Sequence, residues 1–379
     1  MQKIVCLAVG VALLYVGHVR ADEVPFVELK GNGSPIDVDS AAFSPDGKRI
    51  VTRTFDPVAR IWDAETGKEL QTLKGHRKGL DHAFFSPDGK NVVTTSWDGT
   101  ARIWDAESGK TLHELQRRET LVSWLRGVKS ISVVFSPDGK KIVVSDANNT
   151  FRVLDAVSGK KLHTLTGLGG YVYSSTFSPD GTKFAIAGGD SNKTEGNGIA
   201  IVYDINTGRA LQTLVGHEVP LSFFVFSPDG KKIVTADYKG GVRIRDTETG
   251  RVLQKLEGLP DDYVRPVVFS PDGKKIITVV SWDHNIVRIW NVETGKILQT
   301  LEAPRVSDAI FSSDGERIVT GSGNRGAIEI WNAESGKLLQ TLPEHMKVGS
   351  FYTFSADGRK AVTTSWNDTT HTVRIWTLE

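Results

Sequence analysis

Short runs of β-branched residues edged by charge recur along the whole chain. Lys48-Arg49-Ile50-Val51-Thr52 and Lys232-Ile233-Val234-Thr235 are typical: too short for helices and rich in side chains that suit a pleated surface. No apolar stripe at helical spacing accompanies them. Each run follows a turn pentapeptide. Phe-Ser-Pro-Asp-Gly begins at Phe43, Phe85, Phe135, Phe177, Phe226 and Phe269, with variants at Phe311 and Phe354, in steps of 42 to 50 residues. Pro presets φ at the second turn position, Asp can bond back to the backbone, and Gly accepts the positive φ that closes a hairpin. The pentapeptide therefore joins two strands, a and b. Segments such as Val58 to Asp63, Ala101 to Asp105 and Val287 to Asn291 read as strand c. A second turn, Ala64-Glu65-Thr66-Gly67 in the first unit, leads into a more polar strand d, Glu69 to Leu73. Four strands in a period of the low forties are the mark of a propeller, and the Lys, Gln and Glu of strand d place it on the outer rim.

The tandem Trp-Asp ends of strand c and the Gly-His pairs at 75–76 and 216–217 resemble the WD-repeat family, over the whole of residues 22–379. Eight a-b-c sets are present but only seven c–d turns, because the chain stops just after Trp376. The missing strand is at the other end: Phe26-Val27-Glu28-Leu29-Lys30-Gly31 aligns with the close of an ordinary strand d, Leu70-Gln71-Thr72-Leu73-Lys74-Gly75. The expected fold is thus an all-β, eight-bladed propeller of four-stranded antiparallel blades, the last blade closed by an N-terminal strand.

The resemblance implies a buried hydrogen-bonded chain in each blade, running from a His before strand a through a Ser or Thr on strand b and an Asp in the b–c turn to the Trp of strand c. Blade 2 offers His76, Ser96, Asp98 and Trp104. Blade 5 has His217 but Lys239 and Arg245 where Asp and Trp are expected; Leu154 and Tyr203 replace the Trp in blades 3 and 4. Those three blades are expected to rely on packing.

Composition adds a compartment. The 379 residues carry a net charge of only +1, which gives no general case for nucleic acid. Met1-Gln2-Lys3, the apolar stretch Ile4 to Val16 and the small-residue site Val19-Arg20-Ala21 read as a signal peptide over residues 1–21, too short to span a bilayer. An uncleaved anchor or a degenerate strand is the alternative. The expected location is periplasmic or extracellular, with no membrane span after cleavage. Cys6, the single cysteine, lies in that segment, so the mature chain has no thiol for a disulfide, a metal or a nucleophile.

The chemistry-bearing candidates are aromatic. Phe55, Trp97, Tyr238, Trp282 and Trp366 each end strand b, and every b–c turn lies on the face of the d–a loops, so the five are expected to ring one end of the channel. Loop padding is the competing reading. Trp124, in a basic insertion over 116–129, is either a further partner contact or part of a folded-back loop. Gly109-Lys110-Thr111 lacks the upstream Gly of a phosphate loop, and Asp190 to Gly196 only half resembles a calcium loop. No cofactor or metal is expected. The family resemblance and the aromatic face together point to a non-catalytic scaffold for a protein or peptide partner. A glycan or small-ligand module is the alternative, and a propeller enzyme a weaker one.

Overall fold

The computed structural model of the chain describes residues 26–29, 38–54, 56–116, 132–145, 150–166, 168–189, 197–257, 259, 264–280, 286–303, 306–322, 328–342, 352–355, 360–366 and 371–377. These form eight four-stranded antiparallel sheets, the blades of one ring. Blade 2 comprises Leu80–Phe85, Asn91–Ser96, Thr100–Asp105 and Thr111–Gln116; blade 5 comprises Leu221–Phe226, Lys232–Asp237, Val242–Asp246 and Val252–Leu256. Blade 8 takes its outer strand from the N-terminal side. Phe26–Glu28 runs antiparallel to His371–Thr377, with Phe26 opposite Trp376 and Glu28 opposite Arg374. Leu29 then buries its side chain and donates its N–H to the Val373 carbonyl at 3.0 Å. Its counterpart Leu73 is buried in the same way, as their alignment requires.

The core is not inside the blades but between them. Among the described residues eight apolar clusters occur, one at each junction of neighbouring blades. The junction of blades 8 and 1 joins Leu29, Val362, Val373 and Ile375 to Ala41, Ile50 and Trp62. Burying a large aliphatic side chain stabilises by about 1.5–3 kcal/mol. A blade without neighbours would expose two apolar faces, so the ring must close.

The turns show what the repeated polar residues do. Ser44 donates its hydroxyl to the Asp46 carboxylate at 2.6 Å and accepts the Arg49 N–H at 2.9 Å, while Gly47 takes φ +68°. In the c–d turn, Asp63 accepts the N–H and the hydroxyl of Thr66, both at 2.7 Å. The Trp-Asp pair therefore divides its labour: the indole enters the core and the next carboxylate holds the turn. Asn291 and Asn332 accept the equivalent N–H bonds at 2.8 Å, which is why Asn serves there as well.

The rim is less polar than strand d suggests. Leu70, Leu112, Leu162, Leu211, Leu253, Leu298 and Leu339 hold the same register in successive blades and are all 40–50% exposed.

Candidate functional site

In blade 2 the loop entering strand a carries His76, which is 7% exposed. Its Nδ1–H donates to Asp98 Oδ2 at 3.2 Å, and its Nε2 accepts the Thr94 hydroxyl at 2.8 Å. The Trp104 indole N–H donates to that same hydroxyl at 2.8 Å. Thr94, not Ser96, is therefore the link between His and Trp. Ser96 lies two residues further along strand b, at its end, and cannot reach the indole's level. Its hydroxyl faces the Lys78 and Gly79 carbonyls at 2.9 and 3.1 Å and accepts the Asp98 N–H at 3.1 Å.

The charges match these roles. Burial lowers the pKa of His76 in spite of the attraction of Asp98. Burial works to raise Asp98, but the Arg77 N–H and the hydroxyl and N–H of Thr100 prevail and leave it at about 2. A neutral imidazole with its proton on Nδ1 beside an ionised carboxylate satisfies every bond in the chain.

Hydroxyl, imidazole and carboxylate in line are the parts of a nucleophilic triad. Here the hydroxyl is closed to substrate. Thr94 is 1% exposed and its oxygen already accepts the indole N–H. The set ties strands b and c to the incoming loop.

The same Trp–Thr bond recurs at 2.8–2.9 Å in Trp62–Thr52, Trp290–Thr278, Trp331–Thr320 and Trp376–Thr363. Blades 3 and 4 have Leu154 and Tyr203 in place of the indole and Val144 and Ile186 in place of the hydroxyl, all buried. The buried hydroxyl is kept where it has a partner and is absent where it has none, as the cost of an unpaired polar group dictates.

Blade 5 departs from the sequence expectation. It does have its carboxylate: Asp237, two residues before Lys239, accepts His217 Nδ1–H at 2.6 Å, and Thr235 donates to His217 Nε2 at 2.9 Å. Gly241 makes this possible, since a Cβ there would lie 2.4 Å from Asp237 Oδ2. Burial opposes the charge on Asp237, but the His217 bond and the Gly241 N–H hold its pKa below the ordinary value. Arg245 fills the tryptophan's place, 4% exposed, and donates to the Val215 carbonyl at 2.8 Å.

Above these cores stand the strand-b aromatics. Trp97 is 58% exposed and Tyr238 37%. Their backbone N–H groups donate to Gly79 and Pro220 carbonyls at 3.1 and 3.2 Å, which puts both on the face of the d–a loops. Trp366 ends strand b of blade 8, paired with His371. Phe55, Trp282 and Trp124 lie outside the described residues, as do the 1–21 segment and residues 190–196.

Sequence reasoning missed one neighbour of Tyr238 and a second tyrosine beside that neighbour. Tyr173, on strand a of blade 4 (Val172–Phe177), places its ring 5.2 Å from that of Tyr238 at 76°, and Tyr171 lies 6.3 Å from Tyr173. Both are exposed, at 45% and 56%. The signal was the Tyr-Val-Tyr spacing just before a buried Phe. Among the described residues no group of three His, Cys, Asp or Glu is placed to hold a metal, and no helix is long and apolar enough to cross a membrane.

Comparison with known proteins places this architecture. The model of the WD domain, G-beta repeat, matches residues 24–63, 67–105, 159–193, 208–246 and 295–332, about half of the chain. An uncharacterized WD repeat-containing protein of Nostoc sp. (strain PCC 7120) is 54% identical over 37 residues, which are 10% of this chain and 2% of that protein. The crystal structure of the computationally designed Ika8 protein superposes with a TM-score of 0.73 at 22% identity, covering 93% of this chain and 98% of that one; the likeness is one of fold.

Proposed function

The chain belongs to the WD-repeat family, whose propellers commonly serve as protein-interaction scaffolds, and from that premise we propose that it captures a protein or peptide partner on the face of its b–c turns and d–a loops, without catalysis. The observation that carries this reading is the pair of exposed aromatics, Trp97 and Tyr238, raised over blades whose polar groups are spent on holding strands together. Exposed aromatics are what interfaces enrich, and a few of them supply most of the energy. The 76° angle between Tyr173 and Tyr238 favours a peptide over a glycan, because it forms a corner rather than the flat platform on which sugar rings stack.

The test is capture of partners from the exported fraction by wild-type protein and by a variant with Trp97, Tyr238, Trp282 and Trp366 changed to Ala. The variant should fold normally and lose its partner. Retained capture would move the functional surface elsewhere, to the opposite face or to the insertion around Trp124. The leader-like residues 1–21 support export as part of the same proposal. Mass spectrometry of the native product should find a mature N-terminus near Asp22, and an intact Met1 on cytoplasmic protein would refute export.

A further inference from the structure

At the b–c turn that follows Trp97 in the chain opens a cleft of about 350 Å³ lined by Arg77, Asp98, Thr100, Arg102 and Glu114 among others. We infer that this cleft receives a carboxylate side chain of an acidic peptide segment, with Trp97 packing against the apolar neighbour of that residue. The inference rests on the scaffold reading above and adds the chemistry of the partner.

The argument is one of which charges are already engaged. Asp98 is filled: it accepts the Arg77 N–H at 2.8 Å, the Thr100 N–H at 2.9 Å, the Thr100 hydroxyl at 2.6 Å and His76 at 3.2 Å. Glu114 is bound to Arg102 at 2.7 Å, and Arg102 lies over the Trp104 ring, 5.7 Å from its centroid. Burial disfavours the charged form of the His76 imidazole, which is bonded to Asp98 and Thr94. Arg77 alone among the lining groups has an ionised side chain with no partner among the described residues, and it is exposed, as is Lys78 beside it. A guanidinium offers a planar fork of donors that fits a carboxylate with two parallel bonds.

One free fork matches one negative charge. A phosphate, with nearly two, would set its second charge against Asp98 and Glu114, so the carboxylate is the better fit.

The experiment uses fluorescence anisotropy with short fluorescein-labelled peptides, identical except for a central Glu, Gln or phosphoserine between leucines. Wild-type protein should bind the Glu peptide at least about tenfold tighter than the Gln peptide, the size of a charge-assisted hydrogen-bond pair. Arg77→Glu should abolish that preference at unchanged melting temperature. Arg77→Gln, which adds no charge near Asp98, should do the same and keeps the test valid if Arg77→Glu disturbs the turn. Trp97→Ala should weaken both peptides alike. Equal binding of Glu and Gln peptides, no binding of either, or a preference that survives both Arg77 variants would overturn the inference, and tighter binding of phosphoserine would overturn the choice of carboxylate. Partner capture that needs Trp97 and Tyr238 but ignores Arg77 would remove this inference and leave the scaffold reading standing. Capture indifferent to all three would remove the scaffold reading itself.

Discussion

Blades 2 and 5 solve one problem with different residues. Each must fasten the chain that enters strand a to a blade already built, and each does so with a His bonded to a threonine on strand b and to a carboxylate near that strand's end. In blade 2 the carboxylate comes from the turn and the threonine also holds Trp104; in blade 5 it comes from the strand itself and Arg245 takes the tryptophan's place. The latch of His, Thr and Asp is thus separable from the indole. What it requires is a carboxylate at one point in space, and a tight turn with Gly241 supplies that as well as a fixed sequence spacing does.

The largest test of this comparison is the residue on strand c. Trp104→Ala should destabilise by about 3–5 kcal/mol, since it empties a site filled by a large ring and takes from the Thr94 hydroxyl one of its two partners. Arg245→Ala should cost less, about 1–3 kcal/mol, mostly for the Val215 carbonyl left without its donor. Urea titration with both variants measures the difference, and a larger loss from Arg245→Ala would contradict the separation of latch and indole.

Next in size is the hydroxyl. Thr94→Val breaks bonds to two partners and Thr235→Val to one, so the former should lose about 1–3 kcal/mol and the latter roughly half as much. Differential scanning calorimetry of the two conservative variants decides it.

Protonation separates the blades more finely. Burial holds the imidazoles of His76 and His217 below their ordinary value of 6.5, so as pH falls through that value the unfolded chain binds protons that the folded chain refuses, and stability drops. A second loss begins below 3.8, where unfolded carboxylates protonate while Asp98 in the fold resists down to about 2. Both slopes have the same sign: stability rises with pH. His217, only 1% exposed against 7% for His76, should contribute more of the upper limb. Denaturation midpoints of His76→Gln and His217→Gln across pH 4–7 should show the shallower slope in the latter.

The smallest expected effect is at the surface. Trp97→Ala should change stability by less than about 0.5 kcal/mol, as an exposed position away from the core does. Tyr238→Ala should cost about 0.5–1.5 kcal/mol through its edge-to-face contact with Tyr173. A thermal melt that ranks them in reverse would mean that Trp97, and not Tyr238, is packed.

Most of the fold was legible in the chain itself, because each repeat writes its turns in residues with few conformational choices. Pro-Asp-Gly set the a–b hairpins, Trp-Asp ended strand c at the c–d turn, and the count of turns against strands placed Phe26–Glu28 in blade 8, where it pairs with His371–Thr377. Such local signals depend on neighbours in sequence, and a single sequence contains them in full. The candidate site was legible only in part. That Trp97 and Tyr238 lie on the d–a loop face followed from the repeat, and their N–H bonds to Gly79 and Pro220 agree with it. Which hydroxyl meets the indole, Thr94 or Ser96, depends on depth along a twisted strand. That Asp237 can replace an aspartate missing from the turn depends on the room beside Gly241. The joining of Tyr171, Tyr173 and Tyr238 depends on two blades meeting, and the unpaired state of Arg77 on where every nearby charge found its partner. These are facts about distances between residues far apart in the chain, and only the packed ring settles them.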